Sequence, residues 1–263
     1  MAMDEWMFHQ ASESPGRILL RLYSWKSGAI TIGRNQNEKV AVDFEKLNGT
    51  PVIRRITGGR ALYHDPSELT YSLAANCDDK EKTAFGNAVS QSSRSISAAL
   101  LDFLKSLEID AHYVRQSSTN FLSTESFHSL PCFESRARHE IMGAQGKLVA
   151  SAQRRVGETF LQHGSIKLNG LAFHPALTLS ATNSLNFSDI QPLKESRFEE
   201  FSPVFCESTG KSLGFAFEPV ELDEVDLMEI STYEDSIKKK SLGQRDLIKQ
   251  NRLLVSLSGE THN

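Results

Sequence analysis

Short apolar runs alternate with polar turn residues along the first two thirds of the chain, and this pattern predicts β-strands. The predicted strands occupy 18–23, 29–33, 52–56, 68–74, 111–114, 139–142, 148–153 and 160–168. The glycines within 143–146 favour a tight turn, because glycine adopts positive φ angles without a steric penalty. We therefore expect a hairpin there, with Lys147 opening the returning strand.

Apolar residues at helical spacing predict an amphipathic helix over 85–107 that packs on a sheet. A second helical stretch, about 221–257, is rich in charge, and its lysine run at 238–240 is typical of a solvated helix face. Mixed strands with helices on one side indicate an α+β architecture. We expect a single domain over 1–263, with the C-terminal helical stretch packed on it.

Composition and charge describe an ordinary globular protein. The chain has 263 residues, 39% hydrophobic and 24% charged, and a formal net charge of -4, which gives no support to nucleic-acid binding. Residues 1–10 lack the features of a secretory signal, and no stretch approaches the roughly 20 apolar residues that span a bilayer. Three cysteines lie far apart without CxxC spacing, so we expect a cytoplasmic protein with no disulfide framework, no metal site and no membrane attachment.

A double glycine, Gly58-Gly59, follows one predicted strand and lies among Arg54, Arg55 and Arg60. Backbone N–H groups at such a turn can approach a carboxylate, phosphate or carbonyl oxygen closely. The three guanidinium groups can form a rim that holds an anion, although strand alternation turns Arg54 and Arg55 to opposite sides. A double glycine by itself is equally compatible with a plain tight turn.

The double-glycine segment, Lys147 and the segment around His163 together suggest acyl transfer, a reaction that can proceed through a nucleophile. Cys132, which follows the polar, irregular segment 116–130, is the leading candidate for that nucleophile. Lys147 can lower the pKa of a neighbouring thiol or hold a carbonyl oxygen as negative charge develops. His64 and His163 can orient other groups by hydrogen bonding. Each also has a structural interpretation, as a small buried thiol, a surface lysine beside a hairpin turn, or a histidine satisfied within the core.

Several motifs together resemble the lipoate and octanoate attachment family, whose members are related to biotin protein ligase. They are Met1-Ala2-Met3-Asp4-Glu5, Gly33-Arg34-Asn35-Gln36-Asn37, the Arg-Arg-x-Thr-Gly-Gly loop, Ser151-Ala152-Gln153 and Gln162-His163-Gly164-Ser165. The sequence at residues 57–61 and 64–65 resembles that of the octanoyltransferases of the LipM type. Cys132 stands in Pro-Cys-Phe, where those enzymes carry their acyl-accepting cysteine. The resemblance weakens after about residue 168 and implies mixed, mostly antiparallel β-sheets flanked by helices, the fold of a biotin/lipoate protein ligase-like catalytic domain.

The same resemblance implies transfer of an octanoyl group from octanoyl acyl carrier protein, through a thioester on Cys132, to a lysine of a lipoyl domain. Lys147 would orient the carbonyl and stabilise its charge. The implied substrate-binding residues are Arg54, Thr57, Gly58, Gly59, Arg60, His64, Ser151, Ala152, His163 and Gly164. The acceptors would be lipoyl domains of 2-oxoacid dehydrogenases or the glycine cleavage H protein, and no cofactor is needed.

The surface arginines can attract these partners despite the acidic net charge. Arg54, Arg60, Arg154 and Arg155 are expected to steer acidic carrier and lipoyl domains towards the site.

Two other interpretations stay open. A lipoate-protein ligase of the same fold would use Lys147 to handle an acyl-adenylate and would require ATP and Mg. A non-catalytic lipoyl-domain-binding protein would form complexes without turnover. ATP dependence and turnover therefore distinguish the three.

Overall fold

The computed structural model of the protein describes residues 1–78, 84–114, 140–144, 146–168, 173–177, 198–240 and 248–257. The helices are α1 (Ala2–Glu13), α2 (Glu38–Ala41), α3 (Val89–Ser106), α4 (Phe198–Leu213) and α5 (Glu224–Lys240), with a short 3-10 helix at Phe44–Lys46. The strands are β1 (Ile18–Trp25), β2 (Ala29–Ile32), β3 (Val52–Arg54), β4 (Leu62–His64), β5 (Leu69–Asn76), β6 (Ala111–Val114), β7 (Glu140–Gly143), β8 (Gly146–Val156), β9 (Thr159–Ile166), β10 (Phe217–Pro219) and β11 (Ile248–Leu257).

Eight strands form one large antiparallel sheet in the order β10-β11-β1-β5-β9-β8-β7-β6. Its central strands are buried on both faces, because helices cover both. Leu20 of β1 belongs to a core with Leu100 of α3 and Phe205 of α4. The adjacent Leu19 belongs to a second core with Trp6 of α1 and Ile230 of α5. The mostly antiparallel α+β fold is confirmed, whereas the expectation of helices on one side is wrong.

A smaller three-stranded sheet lies beside the large one. Strand β2 pairs with β3 in parallel and with β4 in antiparallel orientation. Its own core includes Ile30, Ile32, Val52 and Ala61, packed with Ala41 of α2. The double-glycine loop is the connection from β3 to β4, so this sheet carries both ends of the loop.

Most of the predicted elements are confirmed with small shifts of their ends. The hairpin is formed by β7 and β8, with Gly143 opposite Gly146. Helix α3 begins at Val89 rather than at 85 and reaches Ser106. A glycine with φ +61, Gly86, precedes it, and this left-handed backbone does not continue into an α-helix.

The C-terminal helical prediction is correct only in its first half. Helix α5 ends at Lys240, and 248–257, predicted as helix, is strand β11. This strand pairs with β1 over most of its length, placing Val255 opposite Leu20. Leu254 and Val255 are consecutive yet both buried, one in each core. Burial on two faces is typical of an interior strand. The strand was not predicted because the residues that precede this pair are mostly polar.

No helix in the described ranges is long and apolar enough to cross a bilayer.

Candidate active site

Strand register brings the sequence motifs of three strands to one place. Ser72 of β5 lies opposite His163 of β9, which lies opposite Ala152 of β8. The next row on the same face consists of Thr70, Ser165 and Ala150. Motifs that are separated by about ninety residues therefore form a single patch on the α1 side of the sheet.

A small cavity lies over this patch, between the large sheet and the double-glycine loop. Its lining residues are Met1, Tyr23, Arg55, Leu62, His64, Thr70, Ala150, Ser151, Ala152, His163, Gly164 and Ser165. The cavity has about 20 Å³, roughly the space that one water occupies. Side chains must therefore move before a ligand larger than water can enter. Five residues predicted to bind substrate lie here, namely His64, Ser151, Ala152, His163 and Gly164.

Two glycines allow the loop to approach strand β2. Gly59 has φ +89, in the region that favours glycine. A Cβ on Gly33 would lie 2.0 Å from the carbonyl oxygen of Gly59, so no other residue fits at Gly33 without displacing the loop. The Arg34 N–H donates to the carbonyl of Thr57 at 2.8 Å, which holds the two segments together.

The paired arginines hold backbone instead of forming an open rim. Arg55 is buried and donates to the carbonyls of Thr31, Gly58 and Arg60 at 3.0, 3.1 and 2.8 Å. Arg54 points the other way, as strand alternation predicts, and its guanidinium donates to three carbonyls between residues 33 and 36 and to the Glu38 carboxylate. Arg60 is itself buried. The predicted rim of three guanidinium groups is therefore wrong, and substrate binding by Arg54 and Arg60 stays a prediction.

His163 connects helix α1 to the loop. Its Nδ1 lies 3.1 Å from Asp4 Oδ2, and its Nε2 lies 2.6 Å from Thr57 Oγ1. A carboxylate only accepts, so Nδ1 carries the proton and Nε2 accepts from the Thr57 hydroxyl. Asp4 also accepts from Arg21 at 3.1 Å and from Ser72 at 2.8 Å.

His64 has the same arrangement on the other side of the cavity. Its Nδ1 lies 2.5 Å from Glu68 Oε1, and its Nε2 lies 2.7 Å from the Thr31 hydroxyl. Thr31 in turn accepts from Arg55 at 2.7 Å, so this network also ends on the double-glycine loop. Glu68 accepts from the buried Lys167 ammonium as well.

These environments fix the charge of each group. Burial lowers the pKa of His163 and of His64, although Asp4 and Glu68 oppose this, so both rings are neutral at neutral pH. Burial would raise the pKa of Glu68, but Lys167 and His64 lower it to about 2. Burial likewise opposes ionisation of Asp4, yet the Met1 ammonium, His163 and Arg21 hold its pKa well below the usual range.

Sequence reasoning missed the charged residues that support the two histidines. The missed residues are Asp4, Arg21, Glu68 and Lys167, all buried. A usable signal was present for one of them, because Arg21 interrupts the apolar run 18–23, which was predicted to be a strand. A charge within such a run is buried only with a partner.

Lys147, one of the two predicted catalytic residues, lies on strand β8 of the large sheet. Lys147 is 1% exposed, which excludes the surface-lysine interpretation. It lies opposite Met142 in the hairpin, on the same strand as Ala150 and Ala152 of the cavity. Cys132 lies outside the described residues, and its role stays a prediction.

The other cysteines are unsuited to nucleophilic chemistry. Burial raises the pKa of the Cys206 thiol to about 11 and also raises that of Cys77. A thiolate is the reactive form, so neither thiol is activated by its surroundings.

Ser151 shows how one predicted residue can face away from the cavity. Its hydroxyl hydrogen bonds to Tyr71 Oη at 2.9 Å, and Tyr71 belongs to the core on the α3 side of the sheet. Gln162 donates to the same tyrosine at 2.9 Å. The Ser151 hydroxyl therefore fixes the strand, while its neighbours Ala150 and Ala152 face the cavity.

The chain is similar to known proteins of one family. The family model described as lipoyl protein ligase A/B catalytic domain matches residues 1–196. Octanoyltransferase LipM of Bacillus subtilis (strain 168) is 30% identical over 243 residues, which cover 86% of each chain. Octanoyltransferase LipM of Kyrpidia tusciae is 38% identical over 171 residues, which cover 64% of this chain and 61% of the relative.

Solved structures share the fold at lower identity. A lipoate-protein ligase A bound with ATP has a TM-score of 0.66 at 20% identity, covering 89% of this chain and 87% of that chain. A bipartite lipoate protein ligase from Thermoplasma acidophilum has a TM-score of 0.61 at 17% identity, covering 88% of this chain and 87% of that chain.

The helix-flanked antiparallel sheet with its double-glycine loop over a buried histidine is thus a domain of the lipoate-protein ligase fold. Within that class, the chain belongs to the lipoyl protein ligase A/B catalytic domain family.

Proposed function

We propose that this protein is an octanoyltransferase. It moves an octanoyl group from octanoyl acyl carrier protein, through a thioester on Cys132, to one lysine of a lipoyl domain. The observation that carries the proposal is the similarity to octanoyltransferases LipM across 86% of the chain. We assign the acyl group to the cavity between the double-glycine loop and strands β8 and β9, once its side chains move apart.

In the first step, the Cys132 thiolate attacks the thioester carbonyl of the carrier protein. The carbon–sulfur bond to the carrier breaks, and the carrier thiol leaves with the proton that Cys132 gave up. One thioester replaces another, so the step is close to balanced in free energy. A thiolate performs this exchange because it is both a good nucleophile and a good leaving group.

Negative charge develops on the carbonyl oxygen during the attack and needs fixed donors. The Lys147 ammonium and backbone N–H groups at Gly58 and Gly59 are the donors we assign to it. Lys147 is buried, and a charge fixed in a water-excluded site stabilises the oxyanion more than it would in water.

In the second step, the lysine amine of the lipoyl domain attacks the thioester on Cys132. The carbon–nitrogen bond forms, the cysteine thiolate leaves, and the amine loses one proton to solvent. Conversion of a thioester to an amide is downhill, so no ATP or Mg is required. The acceptors are lipoyl domains of 2-oxoacid dehydrogenases or the glycine cleavage H protein.

The octyl chain supplies binding energy once the cavity opens. Burial of about seven carbon groups contributes on the order of 5 kcal/mol, at about 0.8 kcal/mol per methylene. One methylene more or less changes binding by about 1–3 kcal/mol. Hexanoyl and decanoyl groups are therefore expected to be poor substrates and not forbidden ones.

Intact-protein mass spectrometry tests the proposal. The enzyme is mixed with octanoyl acyl carrier protein in the absence of ATP, and the mass of the enzyme is followed. The parent protein and a Cys206→Ala control should gain one octanoyl group, while Cys132→Ala should gain none. An adduct that persists in Cys132→Ala, or attachment that occurs only from free octanoate with ATP, would contradict the proposal.

A further inference from the structure

A second, larger cleft opens on the α1 side of the large sheet. It has about 370 Å³, within the range of small-molecule sites. Helices α1 and α5 form one wall, and strand β8 with the segments beside β2 and β3 forms the other. Its lining includes two arginines and four apolar or aromatic residues, namely Phe8, Arg34, Ile56, Arg154, Tyr233 and Ile237.

Two arginines of this cleft have no anionic partner among the described residues. Across the described ranges, the guanidinium groups of Arg34 and Arg154 make no hydrogen bond or ion pair. The Nε of Arg154 is buried, and its guanidinium carbon lies 5.1 Å from the centre of the Phe8 ring. A buried donor without an acceptor is unfavourable, so this side of the cleft favours an anion. Arg54, by contrast, is already paired with Glu38.

The cleft continues the acyl cavity along one strand. Side chains two residues apart on a strand share a face, so Ala150, Ala152 and Arg154 of β8 form one row. The first two line the acyl cavity and the third lines the cleft. Arg55 contributes to both. From Arg154 back to Ala150 is roughly 13 Å, at about 3.4 Å per residue.

The rest of the lining is suited to an uncharged, partly apolar arm. Phe8, Ile56 and Ile237 are apolar, and Tyr233 adds a hydroxyl. The carboxylate of Glu5 belongs to α1, on the wall opposite the strands. A bound anion is therefore favoured on the strand side, near the free arginines.

We propose that this cleft binds the prosthetic arm of the acyl carrier protein: a phosphodiester, followed by an extended chain with two amides that ends in the thioester. The inference rests on the proposed function and adds a site for its donor. The phosphodiester binds Arg34 and Arg154, the arm lies along the apolar floor, and the thioester reaches the cavity beside Ala150. Such an arm has about as many chain atoms as four residues of extended backbone, which matches the distance along β8.

Two small donors that differ only in the phosphate test this directly. Acyl-enzyme formation is measured with octanoyl-phosphopantetheine and with octanoyl-pantetheine, and kcat/KM is compared. The parent protein should prefer the phosphorylated donor by about tenfold or more, as expected for charge-assisted hydrogen bonds. Arg34→Gln and Arg154→Gln should each reduce this preference, and the double variant should nearly abolish it.

Arg94→Gln is the matched control, because Arg94 is exposed on α3, which packs on the opposite face of the sheet. It should keep the full preference. Thermal unfolding of each variant checks that the fold is retained. A parent protein with no preference, or an unchanged preference in the double variant, would overturn the inference while leaving the proposed function intact. Failure of both donors and of octanoyl carrier protein to acylate the enzyme would instead contradict the proposed function, and the inference with it.

Discussion

The proton on each cavity histidine is fixed by a carboxylate behind it. Asp4 holds the proton of His163 on Nδ1, so Nε2 can only accept, and the Thr57 hydroxyl must donate to it. Thr57 can then only accept from any further group. The imidazole ring of His163 therefore links the double-glycine loop to helix α1 through two hydrogen bonds of fixed direction.

Removal of the Thr57 hydroxyl tests this order. Thr57→Val has nearly the same shape but leaves His163 Nε2 buried without a donor, which costs about 1–3 kcal/mol. Thr57→Ser keeps the donor and should lose less. Urea unfolding of the two variants gives the comparison, and equal stabilities would show that the hydrogen bond has no net effect.

Glu68 makes stability depend on pH in a defined window. Its pKa is about 2 in the folded protein against an ordinary 4.5, so its contribution is complete above about pH 4.5 and is lost as the pH falls towards 2. That contribution is on the order of 3 kcal/mol. We expect Glu68→Gln to be less stable than the parent at pH 5, and the difference to narrow at pH 3. Urea unfolding at both values measures it, and a constant difference would mean that Glu68 is not the titrating group.

Single residues were the hardest part of the site to predict. The histidines and the double-glycine loop could be identified from the sequence, because histidine and paired glycines are common in catalytic and binding sites. The partner of His163, Asp4, could not be, because a contact between residues so far apart along the chain exists only once helix α1 is packed on the sheet.

At the scale of elements, the approach of the double-glycine loop to strand β2 is the tightest contact near the site. Gly33→Ala places a methyl group 2.0 Å from the Gly59 carbonyl, so the loop or the strand must move. We expect a loss of about 1–3 kcal/mol in the free energy of unfolding, typical of overpacking, together with slower acylation. Differential scanning calorimetry and the mass assay measure these two effects.

Gly58→Ala is the control within the same loop. A Cβ on Gly58 meets no atom within 4 Å, so its stability should stay within about 0.5 kcal/mol of the parent protein. A Gly33→Ala variant as stable as Gly58→Ala would contradict the packing of the loop on β2.

Strand β11 gives the second prediction at this scale. Leu254 is buried between α1, α5 and the sheet, so Leu254→Ala should cost about 2–5 kcal/mol. Leu227 on α5 is 53% exposed, and Leu227→Ala should be nearly neutral. Denaturant unfolding compares the two, and a neutral Leu254→Ala would mean that the C-terminal strand does not belong to the folded sheet.

Helices and strands were predictable where apolar residues recur at helical or strand spacing over several residues. Helix α3 and the β7–β8 hairpin have such patterns and are confirmed. The C-terminal strand was not predictable, because 248–252 is mostly polar and follows a true helix, and only its pairing with β1 decides its conformation. The small β4 contains only Leu62–His64, which is too short for a periodic signal.

For the whole molecule, the central question is the source of the acyl group. The fold is shared with a ligase that binds ATP, whereas we propose that this protein takes its acyl group from a thioester. The formal net charge is -4, yet four arginines line the cleft that adjoins the acyl cavity, and two of them, Arg34 and Arg154, have no anionic partner in the described ranges. This local arrangement suits a phosphorylated donor arm and does not depend on the overall charge. Buried, neutral histidines and a buried lysine are compatible with acyl transfer, and the source of the activated acyl group decides the reaction class.

The most direct measurement is a chase from the isolated acyl-enzyme. The protein is loaded with octanoyl carrier protein, separated from it, and mixed with a lipoyl domain without ATP, while the masses of both proteins are followed. We predict that the octanoyl group leaves Cys132 and appears on one lysine of the domain in a single turnover. An acyl-enzyme that stays loaded, or a lipoyl domain that is modified only when ATP and free acid are added, would contradict the account.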